Sequence, residues 1–152
     1  KLLKRKYFKK LSYLFIIIFF LDIAFWMVKN HPHQYVFFNK SVLNDVEKKY
    51  EMDYWGLSYK QNLEHLIRKD PRNKIKVFNS SINDLFYHRF ALGESDRKKI
   101  EIVKNINEAD YVITNFYNDN YVNDESFLEN FIIFNKIIVD NKSINTLYKK
   151  IN

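Results

Sequence analysis

The sequence predicts one N-terminal transmembrane helix followed by a small α/β domain of order strand-helix-strand-helix-strand plus a C-terminal β-hairpin. Three observations predict it. Six cations, Lys1, Lys4, Arg5, Lys6, Lys9 and Lys10, precede an apolar run from Leu11 to Val28 that holds a single charge, Asp22. Beyond that run, apolar residues recur first at helical and then at extended spacing. Near the C-terminus two runs rich in β-branched residues flank Asp140-Asn141, residue types that tolerate the positive φ of a tight hairpin turn.

The membrane element comes first. A span needs roughly 17–25 apolar residues, and Leu11 to Val28 supplies 18. At about 1.5 Å per residue they reach roughly 27 Å. Tyr7 and Phe8 extend the run into the interface, and Trp26 suits the headgroup layer at its outer end. Basic flanks stay cytoplasmic, so residues 1–10 are expected in the cytoplasm, residues 11–28 in the bilayer, and residues 29–152 on the far side. A cleaved signal peptide would have a shorter apolar region, about 7–15 residues, and a small-residue cleavage site. This run ends in bulky Phe25-Trp26-Met27, which predicts a retained helix.

Asp22 is costly there, roughly 2.5–3.5 kcal/mol on insertion scales, and ionisable groups at such depth usually face a helix bundle or a water-filled cavity. This predicts a contact with the rest of a polytopic membrane domain. The plainer reading is a polar residue outweighed by its apolar neighbours. The first residue is Lys rather than Met, which fits a piece of a longer polypeptide.

The formal net charge of +7 does not mark a nucleic-acid binder. The first ten residues carry +6 of it, which leaves +1 for the remaining 142. A nucleic-acid partner needs a basic stripe, and none follows the membrane flank; the expected partner is the lipid bilayer. The chain has no Cys, which excludes disulfides, thiolate metal sites and Cys nucleophiles. Its two glycines, Gly56 and Gly93, exclude a glycine-rich phosphate loop. The 18% aromatic content accompanies abundant Lys, Asn and Ile, a pattern of AT-rich coding that carries no function by itself. The outer part, roughly 120 residues, suffices for one hydrophobic core.

Along that part, Tyr35 to Phe38 reads as a strand or extended exit and Lys40 to Tyr50 as a short helix. Ser58 with Gln61 has the spacing of a capping box, and Leu63, Leu66 and Ile67 form the apolar face of the helix it opens. Pro71 closes that region. Lys74 to Phe78 alternates and is β-branched, a strand. Ser81 with Asp84 suggests a second cap, Leu85, Phe86 and Phe90 the apolar stripe behind it, and Gly93 a C-terminal stop. Glu94 to Lys99 reads as a charged loop, Ile100 to Val103 as a short strand and Glu108 to Phe116 as a buried strand. A polar loop follows Asn118, and Phe131 to Val139 with Ser143 to Lys150 forms the hairpin. The crossover from residues 74–78 to 110–116 should be right-handed and parallel.

The densest constellation is Asp53-Tyr54-Trp55-Gly56. Rings at Tyr54 and Trp55 can stack on the apolar face of a sugar while Asp53 accepts from its hydroxyls, which makes all three substrate-binding candidates. The structural alternative plugs the core with both rings, turns at Gly56 and caps a backbone amide with Asp53. His31-Pro32-His33 supplies two imidazoles without a third ligand, too few for a metal site. The carboxylates show no acid/base spacing, and no GxSxG nucleophile turn occurs. No catalytic residue, metal or cofactor is predicted.

HPHQYVFFN (His31 to Asn39) directly after a membrane helix, YEMDYWGLSYKQNLEHL (Tyr50 to Leu66) and ADYVITNF (Ala109 to Phe116) together resemble the C-terminal region of bacterial multi-pass membrane glycosyltransferases of the protein mannosyltransferase and aminoarabinose transferase type, the GT-C class. His33 departs from the Tyr of that pattern, and Ser41 to Lys49 replaces its usual Gly-rich stretch. The resemblance implies a parent enzyme in the cytoplasmic (inner) membrane that uses a lipid-phosphate-linked sugar donor, with a periplasmic domain that caps its core or positions a glycan or acceptor. It also implies a catalytic acid in an early extracytoplasmic loop, outside this chain. The alternative is a stand-alone, single-pass anchored module that binds envelope glycan or protein.

Overall fold

In the computed structural model the described residues are 2–37, 50–117 and 125–151. The chain divides into two compact units, Lys1–Phe37 and Phe38–Asn152.

The first unit is helix α1, Leu2–Lys29. Its stretch Tyr7–Lys29 is long and apolar enough to cross a membrane, and none of it is buried. Twenty-three residues rise about 34 Å, more than the roughly 30 Å hydrocarbon core. An uncovered helix apolar almost all round, Asp22 excepted, has the length and composition of a membrane anchor. It extends further toward the N-terminus than the apolar run alone. Asn30 ends it by turning its side-chain amide back onto the Trp26 carbonyl at 2.9 Å. The chain after it forms a 3-10 turn, Gln34–Val36, instead of the strand expected from Tyr35. Side-chain pairs across that turn, His33 to the Tyr35 hydroxyl at 3.0 Å and His31 to Gln34 at 2.8 Å, favour the tight conformation.

The second unit is the α/β domain. Its elements are α2 (Ser58–Lys69), β1 (Ile75–Asn79), α3 (Leu85–His88), α4 (Glu94–Arg97), β2 (Ile100–Val103), β3 (Tyr111–Thr114), α5 (Glu125–Asn130), β4 (Phe131–Val139) and β5 (Lys142–Lys150). One five-stranded sheet runs in the order β2-β1-β3-β5-β4. β1 pairs in parallel with both β2 and β3, with Ile75 opposite Ile100 and Val77 opposite Tyr111. β5 pairs antiparallel with β3 and β4. The hairpin turns at Asp140 and Asn141, φ 47° and 63°, as those residue types allow.

Strand alternation sorts the core into two layers. Ile75, Val77, Tyr111, Ile113 and Leu147 face Tyr59, Leu63 and Leu66 of α2. Phe78, Val112 and Tyr148 face the other way, onto Phe127 of α5. Central β3 is buried along its whole length, which suits a strand covered on both faces. The edges are β2 and β4. The expected helix over Lys40 to Tyr50 and the loop after Asn118 lie largely outside the described residues, while Glu125–Asn130 is helical.

Gly93 is not a helix stop. Its φ of −58° places it before α4, and Glu94–Arg97 is a turn of helix rather than a loop. Capping also differs from the Ser-based expectation. Asp84 itself accepts from the Phe86 amide at 2.8 Å, and Ser81 bonds Thr114 instead.

Where α2 ends, Asp70 accepts from the Arg72 guanidinium at 2.7 and 3.0 Å and from the Tyr111 hydroxyl at 3.0 Å. Arg72 also reaches Asp110 at 3.2 Å, and Asp110 accepts from the Lys76 amide at 2.9 Å. The Arg72 hydrogen bonds hold the Asp70 carboxyl down at about 2. Burial, with the Asp70 hydrogen bond, pushes the Tyr111 phenol up to about 12. Because the folded value lies below the ordinary 3.8, ionised Asp70 stabilises the fold above that pH, and the contribution is lost as pH falls toward about 2. Asp70→Asn should lower stability at neutral pH by about 2 kcal/mol and flatten the acid limb between pH 3.8 and about 2. Urea unfolding of the detergent-solubilised chain across that range checks both; an unchanged acid limb would refute the assignment.

Candidate functional site

The carboxyl ends of β1 and β3 meet the loop that enters α2. This is where open parallel sheets present ligand-binding groups. The polar residues there come from two short segments, Asn79-Ser80-Ser81 and Thr114-Asn115, each running on from a strand. The Tyr59 hydroxyl donates to Asn79 at 2.9 Å and to Asn115 at 3.3 Å. Asn115 donates to the Asp53 carbonyl at 2.8 Å. Ser81 pairs with Thr114 at 2.8 Å and accepts from the Asn115 amide at 3.0 Å. Asn79 donates to the carbonyls of Ser81 and Asn83, and Asn83 donates to the Tyr54 carbonyl at 2.8 Å. The network runs from buried Asn115 and Ser81 out to the surface at Asn83 and ties the entry loop to both strands.

Asp53 belongs to this frame. It is 1% exposed. Its carboxylate accepts from the Leu57 amide at 3.0 Å, the Ser58 amide at 3.2 Å and the Ser58 hydroxyl. Two otherwise orphaned amides at the start of α2 are thereby satisfied, by a charge of the sign that end of a helix favours. The capping box at Ser58 and Gln61 does not form; Ser58 is already helical and serves Asp53. Gly56 has φ +65°, and a Cβ there would stand 2.6 Å from the His88 ring and 2.9 Å from Tyr59. His88 stacks flat on Tyr59, centroids 4.9 Å apart. Burial lowers the His88 pKa, against the opposing charges of Asp53 and Asp84.

Tyr54 and Trp55 do not plug the core. Trp55 is 68% exposed and Tyr54 49% exposed, Trp55 standing edge-on to Tyr54 at 5.1 Å. Tyr117 lies 5.7 Å from Tyr54 on the other side, and the Glu51 charge raises its phenol pKa. Tyr117 is set by a strained turn: Phe116 has φ 65°, unusual for a bulky residue. The turn is closed by the Phe116 amide on Thr114 at 2.9 Å and the Ile82 amide on the Tyr117 carbonyl at 3.1 Å. The result is an aromatic shelf of exposed Tyr54 and Trp55 with half-buried Tyr117, on a polar frame.

The other candidates are elsewhere. Asp22 sits on the exposed surface of α1, and His31 and His33 are engaged within the turn after it. No group of three His, Asp or Glu side chains able to hold a metal occurs among the described residues. Ser58, buried and donating to a carboxylate, is not an exposed nucleophile. Sequence reasoning missed Tyr117 and His88. The Asn- and Ser-rich segments following two strands were the available signal for the frame; the Phe116 backbone left none.

Comparison with family models, curated proteins and solved structures returns no match for this chain.

The acid and the two rings of one motif thus separate by role. Asp53→Ala should cost about 2 kcal/mol, the upper range for losing a helix cap, whereas Trp55→Ala should change stability by no more than about 0.5 kcal/mol. Thermal unfolding followed by circular dichroism distinguishes them, and equal losses would contradict the separation.

Proposed function

We propose that this chain is the C-terminal piece of an integral-membrane glycosyltransferase that uses a lipid-phosphate-linked sugar donor, and that its α/β domain contacts glycan or acceptor through the Tyr54-Trp55-Tyr117 shelf. The observation that carries the contact is the 68% exposure of Trp55 on a loop held by hydrogen bonds through buried Asp53. An uncovered indole on a rigid frame offers a π-face to the C–H face of a sugar, and the flanking phenols offer hydroxyl partners. Little ordering entropy is lost when such rings bind, because their backbone is already fixed. Asp53 is spent on the helix cap and enters as a support for the loop, not as a hydroxyl acceptor.

The parentage is supported by the ordered motifs HPHQYVFFN, DYWG-x-S and ADYVITNF and by the apolar span that precedes them. In this reading Asp22 meets other helices of the membrane core. The basic N-terminal flank stays cytoplasmic, and the α/β domain lies in the periplasm. The chemistry belongs to groups upstream; this chain anchors and presents.

Trp26→Phe leaves Trp55 as the sole tryptophan. Titration of that variant with envelope oligosaccharides should change its fluorescence saturably, and Tyr54→Ala or Tyr117→Ala should abolish the response with the circular dichroism unchanged. Absence of any response across lipid-linked and free glycans would sink the contact. The coding sequence upstream of Lys1 decides parentage: further apolar spans are expected, and glycan binding without them would favour the freestanding module.

A further inference from the structure

A second surface of the domain carries chemistry that the shelf does not use. Helix α3 and the 3-10 turn Arg89–Ala91 after it put three rings outward. Phe86, Tyr87 and Phe90 are 44%, 71% and 51% exposed. Phe86 packs edge-on against Tyr87 at 5.6 Å and Phe90 at 5.3 Å. Two guanidinium groups lie over these rings: Arg89 is 4.6 Å from the Phe86 centroid and Arg97 4.6 Å from that of Phe90. Rings so placed hold both cations in fixed orientation at an apolar surface.

Beside them a cleft of about 390 Å³ opens between α3 and edge strand β2. Arg89, Lys74 and Lys98 line it, with Phe86 and one carboxylate, Glu101. Lys98 pairs with Glu94 at 2.7 Å, and the neighbouring Lys99 with Asp96 at 3.4 Å. With Lys98 engaged by Glu94, Arg89 and Lys74 stand against Glu101, which leaves the cleft wall with a net positive charge. The Arg89 Nε is buried and has no acceptor among the described residues. A buried N–H of a charged group without a partner is expensive, so Arg89 keeps unused donor capacity at the edge of the cleft.

We propose that this face docks on an anionic phospholipid surface, with Phe86, Tyr87 and Phe90 at the headgroup-acyl boundary and Arg89 taking a lipid phosphate in the cleft. Exposed aromatics interleaved with cations are the composition of interfacial membrane contacts. The charge complements anionic lipid, and Arg presents the donor fork a phosphate oxygen pair accepts. The same polypeptide carries a membrane anchor, so the domain meets the bilayer at high effective concentration and a modest affinity suffices. Docking is independent of the glycosyltransferase reading.

The chain has no Cys, so one introduced thiol reports cleanly. The full chain is reconstituted in nanodiscs of phosphatidylcholine, with or without phosphatidylglycerol, carrying a nitroxide at Tyr87→Cys or, as control, at Ile132→Cys on edge strand β4. In phosphatidylglycerol discs the label at 87 should become several-fold more accessible to oxygen and less accessible to a water-soluble nickel chelate, while the label at 132 stays aqueous. Arg89→Gln with Arg97→Gln should return position 87 to water, with the spectrum at 132 unchanged as the check on folding. A label at 87 as nickel-accessible as that at 132 overturns the proposal. So does insertion that ignores both phosphatidylglycerol and the two arginines, and so does protection from both reagents, which marks a protein contact.

Discussion

Helix α2 is held at each end by a buried carboxylate, and the domain is organised around that constraint. At its N-terminus Asp53 meets free amides and a favourable dipole. At its C-terminus Asp70 faces the opposite situation, since a negative charge there opposes the dipole. Arg72 and the Tyr111 hydroxyl offset it. These two anchors do more than end a helix. Through Asn115 the first joins the entry loop to β3; through Tyr111, Arg72 and Asp110 the second joins the helix end to β3 and β1. Between them Asn62 donates to Asn145 at 2.5 Å and accepts from Asn135 at 2.7 Å, which fixes the same helix on the hairpin. Apolar burial presses α2 onto the sheet, and the polar contacts set where along the sheet it rests.

Two kinds of aromatic residue follow from this frame. Tyr59 and Tyr111 are buried, and each hydroxyl finds an acceptor, as a buried phenol requires. Tyr54, Trp55, Phe86, Tyr87 and Phe90 stand out in solvent, with Tyr117 half-buried beside Tyr54. Burying one more ring would have been the cheaper solution for stability alone. Exposed rings on rigid supports are the features that stability does not account for, and both proposed surfaces rest on them.

Much of the fold was legible because it is local. Asp140-Asn141 between two apolar runs specifies its hairpin by turn chemistry, and the Leu63, Leu66 and Ile67 spacing specifies α2. Capping was misread for an equally physical reason. Ser58 and Gln61 satisfy the local rule, but a carboxylate five residues earlier makes stronger, charge-assisted bonds to the same groups and wins. Gly93 fits a helix-stop pattern, yet its φ of −58° shows that no left-handed residue is needed there. The sheet order is set by non-local pairing, which no window of sequence encodes. The shelf was half legible: DYWG named two of its rings, while Tyr117 is brought to them from 62 positions beyond Trp55 by a β-strand and a strained Phe116.

The two exposed surfaces are not independent of each other, because the short helix α3 lies between them. His88 points inward, stacked on Tyr59 and closing the space above Gly56 so tightly that even a Cβ would collide. Phe86 and Tyr87, on the same turn, point outward. Asp84, which starts the helix, follows Asn83, whose amide holds the Tyr54 carbonyl. Close packing of this kind ties the turn that carries Trp55 to the outward rings Phe86 and Tyr87. The spacing between the aromatic shelf and the Arg89 cleft is therefore set within the domain itself.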